Sequence, residues 1–323
     1  MRNRNGQMWF TKDGKRIQAH GGMILHHEGT FYWYGENKEG ENALSKGGGR
    51  RVDFIGINCY SSKDLMDWQD EGMVLKATTN PESPLYKDNV VERPKVIFNE
   101  KTGKFVLWFH YDTDDYLTAS CGVAIADKPT GPFVLQSIFT PNRKDSRDMT
   151  IFKDEEKAYL IHSSDFNKTL YIAELTDDYQ NVSGVYTKIF VDQEREAPTM
   201  FKAGGNYYTV TSGCTGWEPN SALASWSPQL FAPHKLMDNP CEGPNYRKTF
   251  GGQPTYIFEH ANTFYLMIDH WQPEELKNSG YSILPIERYG RKKRELRISW
   301  SDKPFGGKVT SLDDFNHEEE HKK

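Results

Sequence analysis

The sequence is short of nearly everything that would mark a metal, redox or nucleic-acid protein. Its 323 residues hold four cysteines, Cys59, Cys121, Cys214 and Cys241, none in a CxxC pair or other ligand spacing. Two or three of them sit among strand-like residues, so buried free thiols are expected. No His/Asp cluster has ligand spacing, so neither a metal nor another cofactor is demanded. Lys and Arg total 40 against 45 Asp and Glu, a formal charge of −5. That balance argues against a nucleic-acid partner, which needs a clustered basic face. The basic run Arg291-Lys292-Lys293-Arg294 reads as a solvated turn.

Long apolar runs are missing too: none reaches the ~18 residues of a membrane-spanning helix, and no membrane partner is expected. The opening MRNRNGQMWFTKDG has charge but no apolar leader core. If the chain is full length it is expected in the cytoplasm; a secreted or periplasmic protein with its leader removed would read the same. Helical periodicity is weak throughout, since apolar positions never keep the i, i+3, i+4, i+7 spacing over three turns.

What is present is a repeat. Five segments read as aromatic-rich β-hairpins: GMILHHEGTFYWYGE, KVIFNEKTGKFVLWFH, MTIFKDEEKAYLIHS, TMFKAGGNYYTVTS and PTYIFEHANTFYLMID. Each is followed by a short strand-like stretch, such as INCYSSKDLMDW or GVAIADKPTGPF, that runs into a Ser, Asp or Pro turn. Units of about 40–50 residues with about four short antiparallel strands are the signature of a propeller blade. The chain is therefore expected to be all-β, a five-bladed β-propeller forming one domain over 1–310, with a charged tail at 311–323. The Gly-rich insertion 41–54 reads as a rim loop. It and the connection 235–252 are candidates to border a pocket, as long loops often do.

Each copy also offers a polar residue in one slot. Counting back eleven residues from the hairpin aromatic reaches His20, Asp148, Glu196 and Gln253; in the second copy thirteen residues separate Phe105 from Glu92. Equivalent slots in a closed ring face one axis, so these side chains are expected to share a funnel. Paired carboxylates suit glycoside hydrolysis, where an acid protonates the leaving oxygen. In an inverting enzyme a base activates water on the opposite face, the two groups standing about 6.5–9.5 Å apart. Glu196 is the candidate acid, with Asp148 as the like charge that raises its pKa. The competing reading has the carboxylates capping strands or pairing with Arg93, Arg147 and Arg195 along the rim. Strand alternation disfavours pairing inside each dipeptide. Trp217 and Trp271, flanked by Gly, Pro and polar residues, are candidates to stack a sugar, whereas Trp33 and Trp108 belong to the core.

Seven short motifs, in this order, carry a resemblance across residues 17–307. They are Ala19-His20-Gly21-Gly22, Tyr32-Trp33-Tyr34-Gly35-Glu36-Asn37, Glu92-Arg93-Pro94-Lys95, Ser146-Arg147-Asp148-Met149, Glu196-Ala197-Pro198, Thr215-Gly216-Trp217 and Gln253-Pro254. The chain resembles glycoside hydrolase family 43, and within it the exo-β-1,3-galactanase subfamily. The resemblance implies an inverting, exo-acting hydrolase that releases galactose from the non-reducing end of β-1,3-galactan, the backbone of arabinogalactan, or its oligosaccharides. Glu196 maps to the general acid and Asp148 to the residue that tunes it. Glu36 maps to a sugar-hydroxyl contact, Glu92 to a carboxylate near the reactive water, and Tyr116, Asn167 and Thr215 to further sugar contacts. Most of the family uses a blade-one Asp as base, where this chain has Ala-His-Gly-Gly. The subfamily shares that absence, and its proposed base, a Gln acting as the imidic acid, maps to Gln253. Glu92, Glu36 and His20 remain competing bases. The alternatives are an α-L-arabinofuranosidase or β-xylosidase with the same acid, and a sugar-binding propeller without catalysis.

Overall fold

The computed structural model describes residues 3–46 and 49–307; the tail expected at 311–323 lies outside them. Among the described residues five blade sheets follow one another along the chain, four with four strands and the last with five. Their innermost strands are His20–His27, Val90–Asn99, Met149–Asp154, Arg195–Ala203 and Gln253–His260. Each inner strand packs against the next, and the fifth packs against the first, so the ring closes. This is the five-bladed propeller the repeat predicts. Among the described residues the only helical pieces are short 3-10 turns.

The period-two pattern has a simple cause. A blade is covered on both sides, so alternate residues of a strand serve two different neighbours. In the second strand of blade two (Lys104–Asp112), Phe105, Leu107 and Phe109 pack toward blade one, while Val106 and Trp108 pack toward blade three. The five apolar clusters of the molecule correspond to the five seams between blades. Trp33 and Trp108 are both fully buried in such seams.

The seam between the last and first blades is reinforced by the N-terminal segment. Gly6 donates to the Tyr281 carbonyl at 2.9 Å and Tyr281 donates back to Gln7 at 3.0 Å. The Asn5 amide oxygen accepts from Ile283 N at 3.0 Å. Trp9 then meets Trp33 edge-on at 5.6 Å between ring centres, and Trp33 meets Trp68 and Tyr281 at 5.3 and 4.9 Å.

Inner strands do not run smoothly into the axis. Register slips occur between His20 and Met23, Glu92 and Lys95, and Glu196 and Thr199. Inside them Gly21, Arg93 and Ala197 hold left-handed φ values of 59°, 56° and 46°. A bulge bends the strand and re-aims its side chains, so slot residue and successor no longer point to opposite faces. Buried Lys95 stabilises this kink by donating to the carbonyls of Gly21 at 2.8 Å and Arg93 at 3.3 Å.

Both long connections have more order than a loop reading anticipates. The insertion contains a small hairpin, Asn42–Leu44 with Arg50–Val52. In 235–252, Cys241–Glu242 adds a parallel strand outside Glu295–Ser299, and Tyr246–Gly251 forms a 3-10 turn.

Candidate active site

Antiparallel pairing puts the start of each inner strand at the same end of the blade as the connection between its second and third strands. That end is the mouth of a cavity of about 290 Å³. Inner strands deliver Glu92, Glu196 and Gln253, the residue just before the third inner strand is Asp148, and the end of a second strand delivers Glu36. Connections deliver Lys38, Tyr116, Asn167, Trp217 and Trp271. Two expected contacts are elsewhere. His20 is fully buried, stacked on Tyr281 at 5.0 Å and tilted behind Trp271 at 5.9 Å. Its kinked strand turns the ring into the seam with blade five, which makes it a support for Trp271 and removes it from sugar contact and from the list of bases. Exposed Thr215 spends its hydroxyl on its own turn, donating to the Glu218 carbonyl at 2.6 Å and accepting from Asn220 at 2.7 Å. Its side chain does not line the cavity. Of the two long connections, 41–54 borders a small side cleft through Arg51, Val52, Asp53 and Phe54, and 235–252 reaches only a minor one through Gly251 and Gly252.

The carboxyl groups are set apart by their surroundings. Burial, with the charge of Asp148 adding to it, lifts Glu196 to about 7 against the pull of Arg93 and a hydrogen bond from the Cys214 thiol. Asn167 donates to Glu196 Oε1 at 3.2 Å, and its own oxygen is fixed by Ser163 at 2.8 Å. Glu92 goes the other way. Burial would raise it, but the His110 hydrogen bond and the charge of Lys38 outweigh that and hold it at about 2. His110 faces Glu92 through Nδ1 at 3.5 Å and buried Asp112 through Nε2 at 3.1 Å. Burial would lower this imidazole, yet those two acids bring it to about 9. Glu36 is raised by burial and opposed by Lys38, which sits 2.6 Å from it.

Gln253 is locked in orientation. Its oxygen accepts from Arg93 at 2.6 Å and from Trp271 Nε1 at 2.9 Å, both groups that can only donate. Its nitrogen therefore faces Ser212, at 3.0 Å. Arg93 is the hub of the floor, because it also makes a two-pronged contact with Asp148 at 3.1 and 2.9 Å. Asp148 in turn accepts from Ala197 N at 3.0 Å, tying the acid's own kink to the same hub.

One carboxyl lifted to about 7 and another held at about 2, lining one pocket-sized cavity, is the division of labour a glycosidase needs. The profile of glycosyl hydrolases family 43 matches residues 16–302. The chain belongs to that family. Among solved structures this family 43 hydrolase is similar to a β-1,3-galactosidase determined with galactodeoxynojirimycin. That pair shares 37% identity, with 94% of this chain and 99% of that one covered, at a TM-score of 0.86. It is also similar to an exo-β-1,3-galactanase from Phanerochaete chrysosporium determined with β-1,3-galactotriose, at 33% identity, 93% and 67% coverage and TM-score 0.84. A third is an exo-β-1,3-galactanase from Clostridium thermocellum, at 32% identity, 95% and 67% coverage and TM-score 0.81. No curated protein matches.

The repeat count missed Arg93, Lys38 and His110, all of which line the hydrolase's cavity. Strand alternation turns Arg93 away from the face of Glu92, a rule the bulge suspends. His110 was within reach, since it is the cross-strand partner of Glu92. Asp269, the cross-strand partner of Gln253, is fully buried beneath the floor, and burial lifts it to about 7 against Arg93.

Proposed function

We propose that the enzyme removes single galactose units from the non-reducing end of β-1,3-galactan, the backbone of arabinogalactan, or from its oligosaccharides, inverting the anomeric carbon. The observation that carries this reading is Glu196: a cavity-lining carboxyl lifted to about 7 by burial and by Asp148, and so able to donate a proton near neutral pH. Glu196 donates to the leaving oxygen in a single displacement. Asp148, gripped by Arg93, maintains the field that keeps the proton on Glu196. Glu92 at about 2 is too weakly basic to take a proton from water, so its part is to accept sugar hydroxyls alongside Glu36. Gln253 fixes the water, its amide orientation set by Arg93, Trp271 and Ser212, and Glu36, raised by burial, takes the proton that water loses as its oxygen bonds to the anomeric carbon. The galactose specificity is supported by relatives at 32–37% identity described as β-1,3-galactosidases and galactanases. The arabinofuranosidase and xylosidase readings are correspondingly less favoured.

Time-course NMR on β-1,3-galactobiose tests the proposal. The α anomer of galactose is expected first, and Glu196→Gln is expected to lower kcat by about 10³-fold or more with binding retained. Initial β-galactose, or a Glu196→Gln variant within tenfold of the parent enzyme, would overturn it.

A further inference from the structure

The wall that carries the acid continues outward into a feature the catalytic reading does not use. Phe166 heads the mouth connection of blade three, next to Asn167, and is 78% exposed. A single exposed aromatic residue is ordinary on a protein surface. This one is built. Asp165, Phe166 and Asn167 hold three consecutive left-handed φ values of 51°, 59° and 66°, a conformation that non-glycine residues adopt only when their surroundings enforce it. The enforcing group is Asp145, which accepts from Ser164 Oγ at 2.9 Å, Asp165 N at 2.8 Å and Phe166 N at 2.9 Å. The same carboxylate pairs with Arg147. Arg147 lines the cavity and sets its guanidinium carbon 5.5 Å from the Phe166 ring centre. One side of the ring is thus backed by a fixed cation, and much of the rest is open.

Position gives the ring its meaning. An acid must stand beside the oxygen it protonates, so the leaving sugar lies against the Glu196 wall. Asn167 reaches Glu196 directly, and Phe166 is its neighbour on the outward side. We propose that Phe166, steadied by Arg147 and Asp145, is the platform for the sugar ring on the reducing side of the bond to be cleaved. The apolar C–H face of a pyranose suits an aromatic face, and the platform makes the enzyme prefer a sugar leaving group over a small one. The inference rests on the hydrolase reading above.

The test compares two substrates that present the same galactose with different leaving groups, β-1,3-galactobiose and β-galactosyl fluoride. The ratio of their kcat/KM values cancels any loss of folded enzyme. In Phe166→Ala that ratio is expected to fall about tenfold, which is about 1.4 kcal/mol of transition-state binding. Phe166→Trp is expected to restore it. A ratio for Phe166→Ala within twofold of the parent enzyme would overturn the platform and leave the hydrolase intact. A parent enzyme that turns over neither substrate would instead remove the catalytic reading itself.

Discussion

Glu196 has to keep a proton that an ordinary glutamic acid loses well below neutrality. Since only its protonated form can donate, kcat/KM is expected to fall as pH rises through about 7. Asp148→Asn removes a charge that favours protonation and frees Arg93, which opposes it. The alkaline limb should therefore move down by about one pH unit, and an unmoved limb would assign it to another group. The same shift carries a stability cost. Its folded value lies above the usual 4.5, so the folded state binds the extra proton between about 4.5 and 7, and stability drains away as pH rises through that window. Glu196→Gln is thus expected to stabilise the protein by roughly 1–3 kcal/mol at pH 8 and hardly at all at pH 4, as measured by paired thermal melts. At this scale the sequence was legible wherever a residue type alone suggests chemistry, as with Glu196 and Asp148. Lys38 and His110 were hidden because their importance lies in which carboxylate they face, and facing is a property of the fold.

The inner strand is the element that makes the site, through its kink. Gly21 shows how tightly the kink is fitted: a Cβ there would lie 2.3 Å from Glu36 Oε2, at a φ of 59°. Gly21→Ala should therefore cost about 1–3 kcal/mol and displace Glu36, lowering both Tm and kcat/KM. Gly29→Ala has a similar φ of 67° but open space around it, and should show only the smaller conformational cost. Equal effects of the two would mean that the close approach to Glu36 is unimportant. Hairpins and their order were plain in the sequence, because alternation along strands is a local pattern. Kinks are harder to see: alternation treats Glu92-Arg93 and Glu196-Ala197 as ordinary strand pairs, and the only local signal is the proline that follows each, Pro94 and Pro198, since proline inside a strand marks a bulge. Alternation alone turns Arg93 from the face of Glu92, and the repeat count carries His20 into the funnel because it ignores its strand's bend.

A ring of blades has one seam that the chain must close with its ends. Here the first blade meets the fifth through Trp9, Trp33, Trp68 and Tyr281, with Asn5 and Gly6 bonded across. Trp9→Ala is expected to cost about 3–5 kcal/mol, and the whole domain should melt in one step at the lower Tm. A separate early transition would show that the closing seam opens independently of the ring. The propeller was legible at this scale because five like units in tandem have few ways to cover every face, whereas the N-terminal segment's role was not, since it belongs to no repeat.

The parallel strand Cys241–Glu242 roofs the outer margin of blade five alone. Elsewhere the sheet borders end in hydrogen-bonding groups turned toward water, and their guards differ. Blade one's border strand carries Asp70, Glu71 and Lys76, and blade four's is only two residues long. Blade three's border, Val182–Ile189, presents Val185 at 53% and Tyr186 at 42% exposure. When crowded molecules adhere through their sheets, that border and blade two's, Val134–Phe139 with Val134 at 60% exposure, are where contact begins. A lysine in place of Val185 would oppose such adhesion from the far side of the molecule, leaving the sugar funnel untouched.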